Sequence, residues 1–188
     1  MNIVIAAVGG QGGLFAARVI GAAALAGSFE VKVSEVHGMS QRGGSVSTYV
    51  RYGKEVASPI VEEGCADVVI AFEMLEGSRA LPYLKPGGSM ILNTQRINPL
   101  PVLTGGATYP ENLPRLLRST GISVATIDAQ SLAKECGNSR AVNAVMLGAL
   151  AKTTGDISQE SWKVAIEKVS KPEFTGSNLA AFDKGFAQ

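Results

Sequence analysis

Two short stretches of this 188-residue chain gather the residue types able to do chemistry. The first, "VGGQGG" at residues 8–13, supplies Gly9, Gly10, Gln11, Gly12 and Gly13 just after an apolar run. The second, "SEVHGMSQRGGSV" at residues 34–46, brings together the only histidine, His37, with Ser40, Gln41, Arg42, Gly43 and Gly44. Glycine backbones let N–H groups approach an anion closely, and a helix that follows adds a favourable dipole. Yet the dinucleotide fingerprint G-x-G-x-x-G/A fails here. Counted from Gly10, its third position falls on Phe15, too large for close helix–strand contact, although Glu35 could imitate the ribose-binding acid. No G-x-x-x-x-G-K-[ST] motif is present, so a P-loop is excluded. The first loop reads either as a turn that seats a helix or as a cradle for some other anionic group.

Glu35, His37 and Ser40 are the residue types of a hydrolytic triad, but they crowd into one loop. Triads bring their members together from separated segments, and no G-x-S-x-G elbow occurs. His37 cannot build a metal site alone, because the two cysteines, Cys65 and Cys136, lie far from it and from each other in sequence. Arg42 is the stronger clue. Its guanidinium can grip phosphate or carboxylate in two places, with Gly43 and Gly44 freeing the backbone to join in. Pairing with Glu35, or with a carboxylate on another chain, explains it as well, and Met39 suits either a partner surface or a core.

These loops need a scaffold, and the hydrophobic rhythm supplies one. "NIVIAAV" is almost continuously apolar, as in a parallel strand covered on both faces. An Ala-rich helix follows, then two alternating runs, "EVKVSEV" and "SVSTYVRY", on either side of the second loop. "DVVIAF", "SMILN" and "ISVATID" read as further strands. "EMLEGSRALPYL" reads as a helix that Pro82 should end or kink. Residues 98–114 are Pro-rich and read as an excursion loop or irregular strand. The last third is helical, with a Ser158/Ser161 capping region before an amphipathic stretch. Strands alternating with helices predict a Rossmann-like three-layer α/β fold with a mainly parallel sheet and a helical C-terminal part, residues 1–188 forming one domain.

Composition narrows the function classes. Lys+Arg number 17 against 16 Asp+Glu, so no basic excess favours nucleic acid. No run approaches the roughly 18 consecutive apolar residues of a membrane span. The N-terminal apolar run lacks a positive flank and a cleavage site, and two distant cysteines suit a reducing cytoplasm.

Taken in order, "VGGQGG", "SEVHGMSQRGGSV", "SPIVEEGCADVVIAFEMLEGSRALPYLKPGG" and "GNSRAVNAVMLGALAK" resemble the gamma-type subunit or domain of 2-oxoacid:ferredoxin oxidoreductases. The HGM-x-QRGGSV form is most similar to the beta subunit of the indolepyruvate enzymes. The resemblance implies oxidative decarboxylation of a 2-oxoacid on thiamine diphosphate, with electrons passed through iron–sulfur clusters to ferredoxin and the acyl group to coenzyme A. Two cysteines cannot furnish a four-cysteine cluster, and the GDG thiamine diphosphate motif is missing, "GDIS" at residues 155–158 being the nearest approach. The chain is therefore expected to be a cofactor-free subunit, with thiamine diphosphate and clusters on a larger partner and coenzyme A as a shared substrate. The resemblance also implies both glycine loops at the carboxyl ends of neighbouring strands, facing the partner's active site or the coenzyme A phosphates. His37 is then the one candidate for a catalytic role, as a proton donor. The alternatives are the gamma subunit of a pyruvate, 2-oxoglutarate or 2-oxoisovalerate enzyme, or a stand-alone nucleotide-binding regulatory protein.

Overall fold

The computed structural model describes residues 1–188 apart from Met39 and Gln41. Its strands are β1 (Asn2–Val8), β2 (Glu30–His37), β3 (Ser45–Gly53), β4 (Ala66–Ala71), β5 (Leu84–Asn93) and β6 (Ser123–Ile127). They form one sheet in the order β2-β3-β1-β4-β5-β6. The pairs β1–β4, β4–β5 and β5–β6 are parallel, whereas β3 runs antiparallel to both β1 and β2. The expected α/β fold with a mainly parallel sheet is what forms.

Among the described residues eight α-helices accompany the sheet: α1 (Gly13–Ala26), α2 (Met74–Arg79), α3 (Leu100–Leu103), α4 (Leu113–Ser119), α5 (Ala129–Glu135), α6 (Val142–Thr154), α7 (Gln159–Val169) and α8 (Pro172–Phe186). The continuous apolar run of β1 is explained by cover on both sides. Ile3, Ile5 and Ala7 join the larger core under α1, α6, α7 and α8, while Val4 and Ala6 join a smaller one with Leu117 of α4. Residues i and i+2 of a strand share a face, so each face needs its own apolar set. Every residue of α6 from Ala144 to Ala151 is buried, which accounts for its apolar character all round.

Two expectations need correction. Strands β1 and β2 are not neighbours, because β3 lies between them. The second loop spans only residues 38–44, too short for the crossover that a parallel partner requires, so the chain must return as an antiparallel hairpin. The Pro-rich stretch at 98–114 is neither loop throughout nor strand. It contains the single turn of α3, and Pro114 stands in the first turn of α4, where its missing N–H costs nothing. Pro82 does end a helix: α2 stops at Arg79, and a 3-10 turn at Leu81–Tyr83 leads into β5.

Candidate functional site

Both glycine loops lie at the same edge of the sheet, where β1 and β2 end. They are bonded backbone to backbone. Gly9 N–H donates to the Gly44 carbonyl at 2.8 Å, and Gly43 N–H donates to the Gly9 carbonyl at 3.1 Å. Gly43 sits at φ +73°. A Cβ on Gly44 would meet the Ser40 carbonyl oxygen at 2.5 Å. The glycines of the hairpin are thus needed to clasp the first loop, whatever else they do.

Gln11 has its amide turned into the protein. Its Oε1 accepts Val8 N–H at 2.7 Å, and its Nε2 donates to the Phe72 carbonyl at 3.1 Å and to Gln95 Oε1 at 2.8 Å. Gln130 donates to the same Gln95 oxygen, and Asn93 Nδ2 reaches the Phe72 carbonyl at 2.9 Å. This chain of amides ties the ends of β1, β4 and β5 to the start of α5. The first loop therefore offers a ligand its backbone, from Gly10 and Gly12, rather than its one polar side chain. A cavity of about 410 Å³ opens beside it, lined by Gly10, Gly12, Gln95, Gln130, Arg140 and Asn143. It sits at the crevice between β1 and β4. The chain leaves β1 toward one edge of the sheet and β4 toward the other, the place where open α/β sheets bind ligands.

On the hairpin's other side lies a cleft of about 600 Å³ lined by Arg42, Glu76, Arg79, Ile97, Leu100 and Leu103. Glu76 is buried, with one carboxylate oxygen taking the Ser45 hydroxyl and the other bound by Arg79 Nη1 at 2.6 Å. The Arg42 guanidinium has no hydrogen bond or ion pair among the described residues. The anticipated pairing of Arg42 with Glu35 does not form. Glu35 instead accepts the Thr48 hydroxyl at 3.3 Å. Ser40 closes its own turn, its hydroxyl donating to the Arg42 carbonyl at 2.7 Å. His37 Nδ1 lies 2.9 Å from the Gly38 carbonyl, on the exposed end of β2. Of the sequence-level candidates, Gln41 falls outside the described residues, as does Met39.

A buried carboxylate shapes the far wall of this cleft. Glu73, only 1% exposed, caps α2 by accepting Glu76 N–H at 2.9 Å. Its other oxygen accepts Ile97 N–H at 3.1 Å and the Tyr109 hydroxyl at 2.5 Å. Burial, and then this bond, pushes the Tyr109 phenol above the ordinary tyrosine value, so it stays a donor. The Arg96 guanidinium stacks over the same ring at 4.3 Å. Sequence reasoning missed Glu73, Glu76 and Arg79. The spacing of Glu76 and Arg79, three apart on one helix, was the available signal. Arg140 and Asn143 stood inside "GNSRAVNAVMLGALAK", read as part of the resemblance but with no role given to either residue.

No three His, Cys, Asp or Glu among the described residues group as a metal site. Cys65 is exposed, while Cys136 is half-buried and packs against the larger core. A cubane cluster takes four thiolates, so the residues of this chain do not fit one. Among the described residues no helix is long and apolar enough to cross a membrane.

Comparison with known proteins agrees with this layout. Residues 2–188 match the family described as pyruvate ferredoxin/flavodoxin oxidoreductase. The indolepyruvate oxidoreductase subunit IorB of Pyrococcus horikoshii is 46% identical over 189 residues, covering 98% of this chain and 93% of that protein. The gamma subunit common to the pyruvate and ketoisovalerate oxidoreductases of Thermococcus kodakarensis is 28% identical, over 95% of this chain and 91% of its own. A solved structure of 2-oxoglutarate:ferredoxin oxidoreductase from Magnetococcus marinus, with 2-oxoglutarate, coenzyme A and succinyl-CoA bound, is similar at TM-score 0.73 and 26% identity. That similarity covers 100% of this chain and 30% of the larger one.

Proposed function

The chain belongs to the pyruvate ferredoxin/flavodoxin oxidoreductase family and is a subunit of a 2-oxoacid:ferredoxin oxidoreductase; from that premise we propose that its 2-oxoacid is indolepyruvate or a related arylpyruvate. The observation that carries this reading is the gap between its likeness to the indolepyruvate subunit and its weaker likeness to the shared pyruvate and ketoisovalerate subunit. Both likenesses run nearly end to end, so the difference is one of sequence and not of coverage.

In this proposal residues 1–188 act as one domain, in the cytoplasm, beside a large subunit that carries thiamine diphosphate and the iron–sulfur clusters. Ferredoxin is reached through that subunit, and coenzyme A is a substrate of the assembled enzyme. The part played by this chain is binding and positioning. Gly9 to Gly13 and the hairpin with Ser40, Gln41, Arg42, Gly43 and Gly44 form the surface that faces the partner. Two features support that role: their backbones are clasped together, and Arg42 is an uncompensated cation among the described residues. His37 stands on the same edge, and its imidazole is the candidate proton donor of this surface.

Anoxic affinity purification of the tagged chain from its native host tests the proposal. The expected result is recovery of a large cluster-bearing subunit, with ferredoxin reduction fastest on indolepyruvate and dependent on coenzyme A. Faster turnover of pyruvate, 2-oxoglutarate or 2-oxoisovalerate would overturn the substrate assignment. Recovery of the chain alone, binding a nucleotide, would favour a stand-alone regulatory protein.

A further inference from the structure

The cleft between the hairpin and the excursion at residues 97–109 has a character of its own. Leu100 and Leu103 are 71% and 69% exposed, although their segment is hydrogen-bonded within itself and tied to Glu73 at Ile97 and Tyr109. Leu103 N–H bonds the Pro99 carbonyl at 3.1 Å, Thr104 N–H the Leu100 carbonyl at 3.0 Å, and Ala107 N–H the Pro101 carbonyl at 3.0 Å. Glu73 and Tyr109 anchor the segment's two ends. Three residues apart on one helical turn, the two leucines share a face. The turn is fixed while its apolar side chains are left in water, the state expected of a surface preorganised for a partner.

Charge restricts what could cover it. The charged residues lining the cleft are Arg42, Arg79 and Glu76. Both oxygens of Glu76 are already engaged, by Ser45 and Arg79. That leaves the exposed Arg42 at a cleft walled by Leu75, Ile97, Leu100 and Leu103 without a counter-charge of its own among the described residues. An occupant that buried it without supplying a carboxylate would pay for an unpaired cation.

We propose that this cleft is a docking groove for a segment of another subunit of the same oxidoreductase, an apolar stretch whose side chains cover Leu100 and Leu103 and whose carboxylate pairs with Arg42. This deepens the reading of the loops as a partner-facing surface and rests on it. A second copy of this chain is the less suitable occupant. A two-fold contact would set this cleft against its own copy, whose only lining carboxylate, Glu76, is already engaged and leaves Arg42 unmatched.

The test uses the complex itself, reassembled from the purified chain and its large subunit. The variants are the double substitution Leu100→Asp with Leu103→Asp, and Arg42→Glu. Leu116→Asp serves as control, since Leu116 is 54% exposed on α4 and does not line the cleft. Thermal melting of each isolated variant verifies that it folds. The expected result is about a tenfold or greater loss of affinity for the double variant and for Arg42→Glu, with the control unchanged. Affinities within about twofold of the unaltered chain, for folded variants, would overturn the groove. So would equal weakening by Leu116→Asp, or homomeric association of the isolated chain that the same variants abolish. If Arg42→Glu left assembly intact but raised the coenzyme A requirement, Arg42 would belong to the coenzyme and the docking assignment would fall. Failure of the unaltered chain to assemble with any large subunit would instead overturn the oxidoreductase role on which the groove rests, and so separates the two.

Discussion

Gln11 spends its amide on Val8, Phe72 and Gln95, and this decides what the first glycine loop can do. In sequence, a glutamine among glycines reads equally well as a ligand contact and as a strut. Its partner Gln95 is 84 residues away, and nothing local announces the pairing. Gly12 has the same character. It sits at φ +82°, and a Cβ there would collide with the side-chain amide of Asn143, a residue from the distant α6. The types of the site residues were legible, but their partners were not. Asp128 allows a quantitative test at this scale. It caps α5, accepting the Ser131 hydroxyl at 2.7 Å and Ser131 N–H at 3.1 Å. The bonds from Ser131, hydroxyl first, hold its carboxyl below the usual value of 3.8. A carboxyl depressed in the folded state stabilises above its unfolded value and loses that contribution as pH falls through the folded one. Asp128→Ala should therefore cost about 1 kcal/mol at neutral pH. In denaturant titrations the difference from the unaltered chain should shrink as pH falls below 3.8. Asp128→Asn should keep most of the cap and lose the pH dependence.

Among the elements, α2 and the excursion depend on one carboxylate. Glu73 satisfies Glu76 N–H, Ile97 N–H and the Tyr109 hydroxyl together. Removing it leaves three donors short of an acceptor in a buried place. Glu73→Ala should lower stability by about 3 kcal/mol or more, since each unsatisfied buried group costs roughly 1–3 kcal/mol. Thermal melting would measure that loss. Limited proteolysis should then find new early cuts between residues 97 and 109, whereas an unchanged digestion pattern would mean that the excursion holds itself. Sequence rhythm located α1, α2, α5, α6 and α7 because each has a clear apolar period or capping signal. It missed α4 because two prolines nearby read as loop, while Pro114 is placed where a helix accepts it. It read β3 as a strand without a direction, because alternation reports which face is buried and not which way the chain runs. The hairpin's length, rather than its composition, fixes that direction.

For the whole molecule, the two faces of the sheet are unequally furnished. The larger core holds α1, α5, α6, α7 and α8, with α6 and α8 in such close approach that a Cβ on Gly185 would overlap the Val145 carbonyl. The other face carries α2 and α4 over a smaller apolar set, with the excursion tied to the start of α2 through Glu73. The thick side carries most of the apolar core, and the proposed recognition surfaces lie on the thin side and at the strand ends. Sequence alone made the layered architecture legible, since a continuously apolar β1 demands cover on both sides. It could not show the asymmetry, because which helix lies on which face is decided by connections and not by composition. The only tryptophan, Trp162, is wholly buried in the thick layer, its ring stacked on Phe182 at 6.4 Å. That indole is a fluorescent gauge already in place. Its emission should stay at short wavelength for as long as the helical layer is closed, and shift red only when that layer opens. The gauge belongs to the core on one face and the groove lies beyond the other. Titrating the large subunit should therefore leave the colour of Trp162 unaltered, and a cleft variant that truly misfolds would declare itself in the same cuvette.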